Sequence, residues 1–247
     1  MKLALERVGH SFLGRTVFEN LDLSLDAGEV VALLGPSGCG KTTVLQIAAG
    51  LLDPMRGRVR RNYARHAVVF QEPRLMPWMT TRDNIAYGLR AAGHGILART
   101  AAAERRAREV GLEFADLDKY PAELSGGMRQ RAAVARALAI DPDLIFFDEP
   151  FTAIDVGLKR TLQDLVIAAA AREHFSALFV THDLSEAVRI AHRLVIFSGR
   201  DGRALTDRAI AGHPGERDDR FIFDLVEAWA RDPAFSDLFD GARSDSR

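Results

Sequence analysis

The chain alternates short runs of consecutive apolar residues with longer stretches in which apolar positions recur at helical spacing. Five runs, from Glu29 to Leu34, Ala67 to Phe70, Leu144 to Phe147, Ala177 to Val180 and Leu194 to Phe197, have strand length and no polar alternation. Each is therefore predicted to be a strand covered on both faces. Buried strands separated by helical segments predict an α/β protein. From about Trp78 to Asp141 the strand-like runs stop and Ala, Arg and Glu dominate, as across residues 101–109, which predicts an α-helical subdomain inserted over 78–141. Core segments over 1–77 and 142–212 flank it. Past Gly212, Phe221, Ile222, Leu225, Val226 and Trp229 share one helical face, so the tail over 213–247 is predicted to hold an amphipathic helix packed on the body. That tail has nine acids against five arginines, and a regulatory or dimer-contact role is the competing expectation for it.

Composition narrows the class without choosing a function. Apolar residues make up 47% and charged residues 27% of 247 positions, which excludes a disordered or collagen-like chain. With 33 basic and 34 acidic side chains the net charge is -1, so the overall basic field that drives non-specific nucleic-acid binding is missing and no nucleic-acid partner is expected. Cys39 is the single cysteine, which rules out an internal disulfide. No run approaches the length of a membrane-spanning helix, and residues 1–7 mix acid and base where a signal peptide needs an apolar stretch. A soluble, cytosolic protein is expected.

The chemistry begins at residues 35–42. Gly35, Pro36, Ser37, Gly38, Cys39, Gly40, Lys41 and Thr42 fit the G-x-x-x-x-G-K-[ST] phosphate loop, set between an apolar strand and a helix-like segment that opens with Thr43. Glycines let consecutive backbone N–H groups turn toward phosphate, the helix N-terminus adds partial positive charge, Lys41 supplies an ammonium and the Thr42 hydroxyl is a magnesium ligand. Asp148 and Glu149 end a second apolar strand. Asp148 is placed to hold magnesium through its water shell, and Glu149 to face the γ-phosphate and polarise the attacking water. A phosphate loop alone leaves kinases, GTPases and transport ATPases open.

The segment Leu124-Ser125-Gly126-Gly127-Met128-Arg129-Gln130-Arg131 closes that choice. Ser125 followed by two glycines and an unbroken helical run is a second helix N-terminus suited to phosphate. With this segment in place, residues 3–212 resemble the ATP-binding cassette (ABC) family. The resemblance implies a P-loop NTPase with a RecA-like core sheet, a small antiparallel β-subdomain and the helical subdomain. It also implies ATP and Mg2+ as cofactors and a head-to-tail homodimer, in which Ser125, Gly126 and Gly127 of one chain cap the ATP held by the other. By the same resemblance Gln71 senses magnesium and water, His182 contacts the γ-phosphate, Asp155 lies in the loop crossing the dimer interface, and Phe12 stacks on adenine. Gly57 to His66 is short for the family, and Met128 stands where many members have Gln.

The stretch Phe70 to Trp78 resembles the nitrate, sulfonate, taurine and bicarbonate group of bacterial importers. That implies a transmembrane permease subunit as partner, a periplasmic solute-binding protein acting indirectly, and a position on the inner face of the membrane. Pro73 and Pro77 stiffen the stretch, and Leu75, Met76 and Trp78 make it apolar for a solvated loop, so it is expected to face the permease. A non-transport ABC ATPase of DNA repair or translation is the alternative. Such proteins carry a long coiled-coil insertion or two cassettes, neither of which appears here.

Overall fold

The computed structural model describes residues 1–152, 154, 156–197, 204–232 and 235. In chain order the strands are β1 (Leu3–Phe12), β2 (Arg15–Leu25), β3 (Val30–Leu34), β4 (Arg56–Arg61), β5 (His66–Val69), β6 (Leu144–Asp148), β7 (Ser176–Thr181), β8 (Arg193–Phe197) and β9 (Ala204–Ala209). The helices are α1 (Lys41–Ala49), α2 (Thr81–Ile85), α3 (Tyr87–Ala91), α4 (Ile96–Glu109), α5 (Gly126–Ala139), α6 (Val156–Glu173), α7 (Leu184–Ile190) and α8 (Asp219–Ala230). The chain divides into two compact units, residues 1–63 with 176–247, and residues 64–175.

In the first unit β3 pairs in parallel with β7 on one side and β8 on the other, and β9 runs antiparallel on β8. Every residue of β3 and β7 is buried, which is why both read as uninterrupted apolar runs. A separate antiparallel sheet in the order β2-β1-β4 forms the small β-subdomain. It was legible only through the family resemblance, because β4 is Arg-Gly-Arg-Val-Arg-Arg, almost wholly exposed, and β1 is broken by bulges that disturb its period-two pattern. The β1–β2 turn places Leu13 and Gly14 at φ 48 and 80.

In α8, Ile222 and Trp229 are buried while Phe221, Leu225 and Val226 are half-buried. The helix packs on α7, and Asp218 caps it by accepting from the Phe221 N–H at 2.7 Å. Just before it, Arg217 is buried and donates to the carbonyls of Val188, Ala191, Ile210, Ala211 and Gly212. Burial without a carboxylate partner among the described residues pushes its guanidinium down to about 10.

In the second unit β5 and β6 form a parallel pair. The helical region between them comprises α2 to α5 and two short 3-10 turns, Phe114–Asp116 and Pro121–Glu123. Its charged hub is Arg106 of α4, which is buried and pairs with Glu109 at 2.7 Å, Glu173 at 2.5 Å and Asp141 at 2.7 Å. Burial is the largest influence on Glu173 and raises its pKa, but hydrogen bonds from Arg106 and Arg172 outweigh it and hold the carboxyl below its ordinary 4.5. The folded state therefore binds that proton less readily than the unfolded chain does. This contribution to stability is complete at neutral pH, begins to fall as the pH drops below 4.5 and is gone below the folded value. Arg106→Ala is expected to cost about 3 kcal/mol, the low end for breaking a buried pair because the acids keep some water, and the loss should shrink in melts at acid pH.

Candidate functional site

The phosphate loop runs from the C-terminal end of β3 to the first residue of α1. Space dictates two of its glycines. A Cβ on Gly35 would lie 2.7 Å from the Phe197 carbonyl oxygen and 2.9 Å from Cys39 Sγ, and one on Gly40 would lie 2.6 Å from Val17 Cγ1. Gly40 also sits at φ 103 and Gly38 at φ 78, where side chains are strained. Gly40 caps α1 without a side-chain hydrogen bond, and no acid occupies the first turn, so no side chain there opposes an anion at the positive end of the helix. Lys41 is only 4% exposed, with Nζ donating to the Gly35 and Pro36 carbonyls at 2.7 and 2.8 Å. Ser37 and Thr42 are exposed, Pro36 and Thr43 half-buried and Cys39 buried.

His182 belongs to the same unit. Leu34 and Thr181 are register partners, so Gly35 and His182 leave neighbouring parallel strands at the same end. That is where ligands of open parallel sheets bind. The His182 side chain is exposed, and the turn holding it is fixed by a hydrogen bond from the Asp183 N–H to Thr181 Oγ1 at 3.0 Å and by the Thr181 hydroxyl on Glu186. Phe12 lies at the tip of the β1–β2 hairpin, 49% exposed, its ring edge-on to His10 at 4.6 Å. The same hairpin brings Val17 and Phe18 against Gly40, which ties it to the phosphate loop.

The second unit holds the remaining chemistry. Val69 and Phe147 are register partners on β5 and β6, so Gln71 and Glu149, each two residues further on, emerge at one strand end. Asp148 is the last residue of β6 and 7% exposed. Glu149 is half-buried at φ 45, a left-handed conformation costing about 1–3 kcal/mol for a non-glycine residue, and it accepts from Thr152 Oγ1 at 3.3 Å. Gln71 is exposed. Ser125 caps α5, its hydroxyl accepting from the Met128 N–H at 3.3 Å. The third amide of the helix is thus occupied by the cap itself, which leaves the first two, on Gly126 and Gly127, outside that cap. A Cβ on Gly127 would lie 2.2 Å from Leu158 Cδ2 on α6, so that leucine side chain would have to turn aside to admit one. Asp155 lies outside the described residues.

Three residues to which the sequence assigned no such role hold the Gln71 to Trp78 stretch in place. Gln130 of α5, buried, donates to the Phe70 carbonyl at 3.4 Å, and Arg136 donates to those of Pro73 and Arg74 at 2.9 and 2.8 Å. Asn84, fully buried, accepts from the Met76 N–H at 2.7 Å and donates to the carbonyls of Met76, Met79 and Thr80 at 3.0–3.1 Å. Asn84→Ala should therefore lower stability by about 2–3 kcal/mol, seen as a lower thermal midpoint, because buried backbone groups lose partners that water cannot replace. Within the stretch Leu75 and Met76 are half-buried, whereas Trp78 is 71% exposed beside a cleft of about 260 Å³ that Tyr87, Arg90, Arg99 and Tyr120 also line.

Residues 18–152 match the family described as ABC transporter. The aliphatic sulfonates import ATP-binding protein SsuB 1 of Pseudomonas syringae pv. syringae is 45% identical over 216 residues, covering 87% of this chain and 88% of that protein. The taurine import ATP-binding protein TauB of Escherichia coli O157:H7 is 41% identical over 199 residues, 78% of each chain. Among solved structures, the dimeric post-hydrolysis state of the ATP-binding cassette MJ0796 bound to ADP and Pi aligns with a TM-score of 0.77 at 27% identity, covering 85% of this chain and 99% of that one.

Proposed function

The chain belongs to the ABC transporter family, and we propose that it is the ATP-hydrolysing subunit of a bacterial importer that takes up a small organic sulfonate, of the aliphatic or taurine type, through a separate membrane permease. The observation that carries this reading is the phosphate loop, where crowding and positive φ enforce glycine, α1 begins without a side-chain cap and Lys41 is pinned over the turn. The two relatives named above supply the solute class.

The loop amides of residues 35–43 and Lys41 hold the phosphates, Phe12 stacks on adenine, and Glu149 accepts the proton of the attacking water while His182 contacts the γ-phosphate. Magnesium keeps several waters and takes one or two carboxylates beside phosphate oxygens, a donor set that one hydroxyl, one amide and one carboxylate would suit. Thr42, Gln71 and Asp148 would hold it, and it would supply positive charge beside the phosphate oxygens. A second copy completes each site head to tail through Ser125, Gly126, Gly127 and Asp155, a reading supported by the dimeric, ADP-bound structural relative.

No helix among the described residues is long and apolar enough to cross a membrane. By the likeness to the two importer subunits, the chain acts from the inner face on a permease to which a periplasmic binding protein delivers the solute. Trp78 and the cleft beside it are the assigned permease contact. Replacing both Trp78 and Tyr87 with Ser removes two exposed aromatic anchors, and aromatic anchors dominate interface energies. Co-purification with the permease should fall roughly tenfold or more while the thermal midpoint of the isolated chain holds. Undiminished assembly would move the contact elsewhere.

A further inference from the structure

A second cleft lies wholly within the unit of residues 64–175, bounded by the C-terminal turn of α4, by α5 and by α6. Its volume is about 340 Å³, inside the range of about 300–1,000 Å³ typical of small-molecule sites. On α6 the lining residues Thr161, Leu165, Ala168, Ala169 and Arg172 recur every three to four positions, so a single helix face forms one wall. Val110 and Leu138, both buried, extend that apolar surface.

The charges at its edge are unbalanced. Arg108, Arg131 and Arg172 line the cleft against one acid, Glu109. Glu109 is engaged by Arg106 at 2.7 Å, and Arg172 is engaged by Glu173 at 2.8 Å. Arg108 is exposed and has no acid or hydrogen-bond acceptor for its side chain among the described residues. Arg131 donates to the Gly111 carbonyl at 2.5 Å and helps hold the Asp116 carboxyl below its ordinary value, and its buried Nε has no partner. Arg108, exposed and with its donors unused, therefore stands at the rim of an apolar wall, with the half-buried Arg131 guanidinium beside it. Guanidinium donors pair best with planar or tetrahedral oxyanions, and the apolar wall rewards a hydrocarbon of a few carbons.

We propose that this cleft is a second ligand site, binding an organic anion that joins one sulfonate, carboxylate or phosphate head to a short apolar tail. The head meets Arg108 and Arg131, and the tail lies along Leu165, Ala168 and Leu138. An occupant touches α4, α5 and α6 together, so it stabilises this unit. The site is separate from the phosphate loop, and the proposal does not depend on the transport reading.

The test is calorimetric titration of the full chain with saturating MgADP, which occupies the phosphate loop. The probes are hexanesulfonate, hexanoate, inorganic sulfate and hexanol. Hexanesulfonate or hexanoate should bind and raise the thermal midpoint, whereas sulfate and hexanol, each lacking one half of the chemistry, should bind far more weakly. Arg108→Gln removes an exposed, unpaired charge and should weaken binding roughly tenfold or more, as expected for one charge-assisted hydrogen bond. Ala168→Trp, at an exposed helix position, should fill the cleft and abolish binding while the midpoint without probe is kept. The proposal is overturned if neither amphiphile binds in the millimolar range. It is equally overturned if sulfate matches hexanesulfonate, or if binding survives both substitutions.

Discussion

Glu149→Gln is expected to lower steady-state ATP turnover by roughly 10²–10⁴-fold, the range that a positioned general base supplies. The amide keeps the shape of the side chain and can still meet Thr152, but it cannot take a proton from water. ATP binding should persist, and the variant should accumulate as an ATP-bound dimer. Glu149 holds its unfavourable φ of 45 directly after the buried end of β6, and strain of that kind is retained where the surrounding structure fixes a functional group. Glu149→Gly should relieve the strain and raise stability while leaving turnover as low as in Glu149→Gln. Single-turnover hydrolysis by Glu149→Gln within a few fold of the unsubstituted chain would remove Glu149 from the role of base.

The second large effect comes from mixing two inactive chains. Lys41→Ala removes the ammonium of the phosphate loop, and Ser125→Asp places a negative charge where the proposed head-to-tail dimer would bring the γ-phosphate of the opposite chain. Asp is the substitution of choice because Ser125 also caps α5, and Asp caps a helix about as well as Ser. Each variant alone should show no ATP-dependent dimer. Mixed in equal amounts they should recover at most about a quarter of the sites, since half of randomly paired dimers are mixed and each of those holds one intact site of two. No recovery in the mixture, although both variants fold, would show that Lys41 and Ser125 do not serve the same nucleotide from different chains.

The parallel strands were legible because burial on both faces writes them as unbroken apolar runs, and the observed β5 differs from the expected Ala67 to Phe70 only by a shift of one residue. Strand β9, Ala-Leu-Thr-Asp-Arg-Ala, was missed because it lies on the edge of its sheet, where polar residues are tolerated and the pattern fades. The phosphate loop was legible down to single residues, since its backbone demands glycine at fixed spacing. What holds the site was not. Asn84, Gln130 and Arg136 act on backbone carbonyls up to 63 residues away, and a carbonyl carries no sequence signature. Gly127 was read as a phosphate donor alone, because the Leu158 side chain packed over it lies 31 positions further on, beyond any local pattern.

The transport account is tested most directly by ATP hydrolysis in liposomes holding the chain with its permease, with the binding protein and solute added on the permease's outer side. The account predicts that an aliphatic sulfonate or taurine raises hydrolysis severalfold, that a solute the binding protein does not hold leaves it at the basal rate, and that Glu149→Gln removes the response. Hydrolysis that is equally fast with and without solute, in a complex that has assembled, would contradict it.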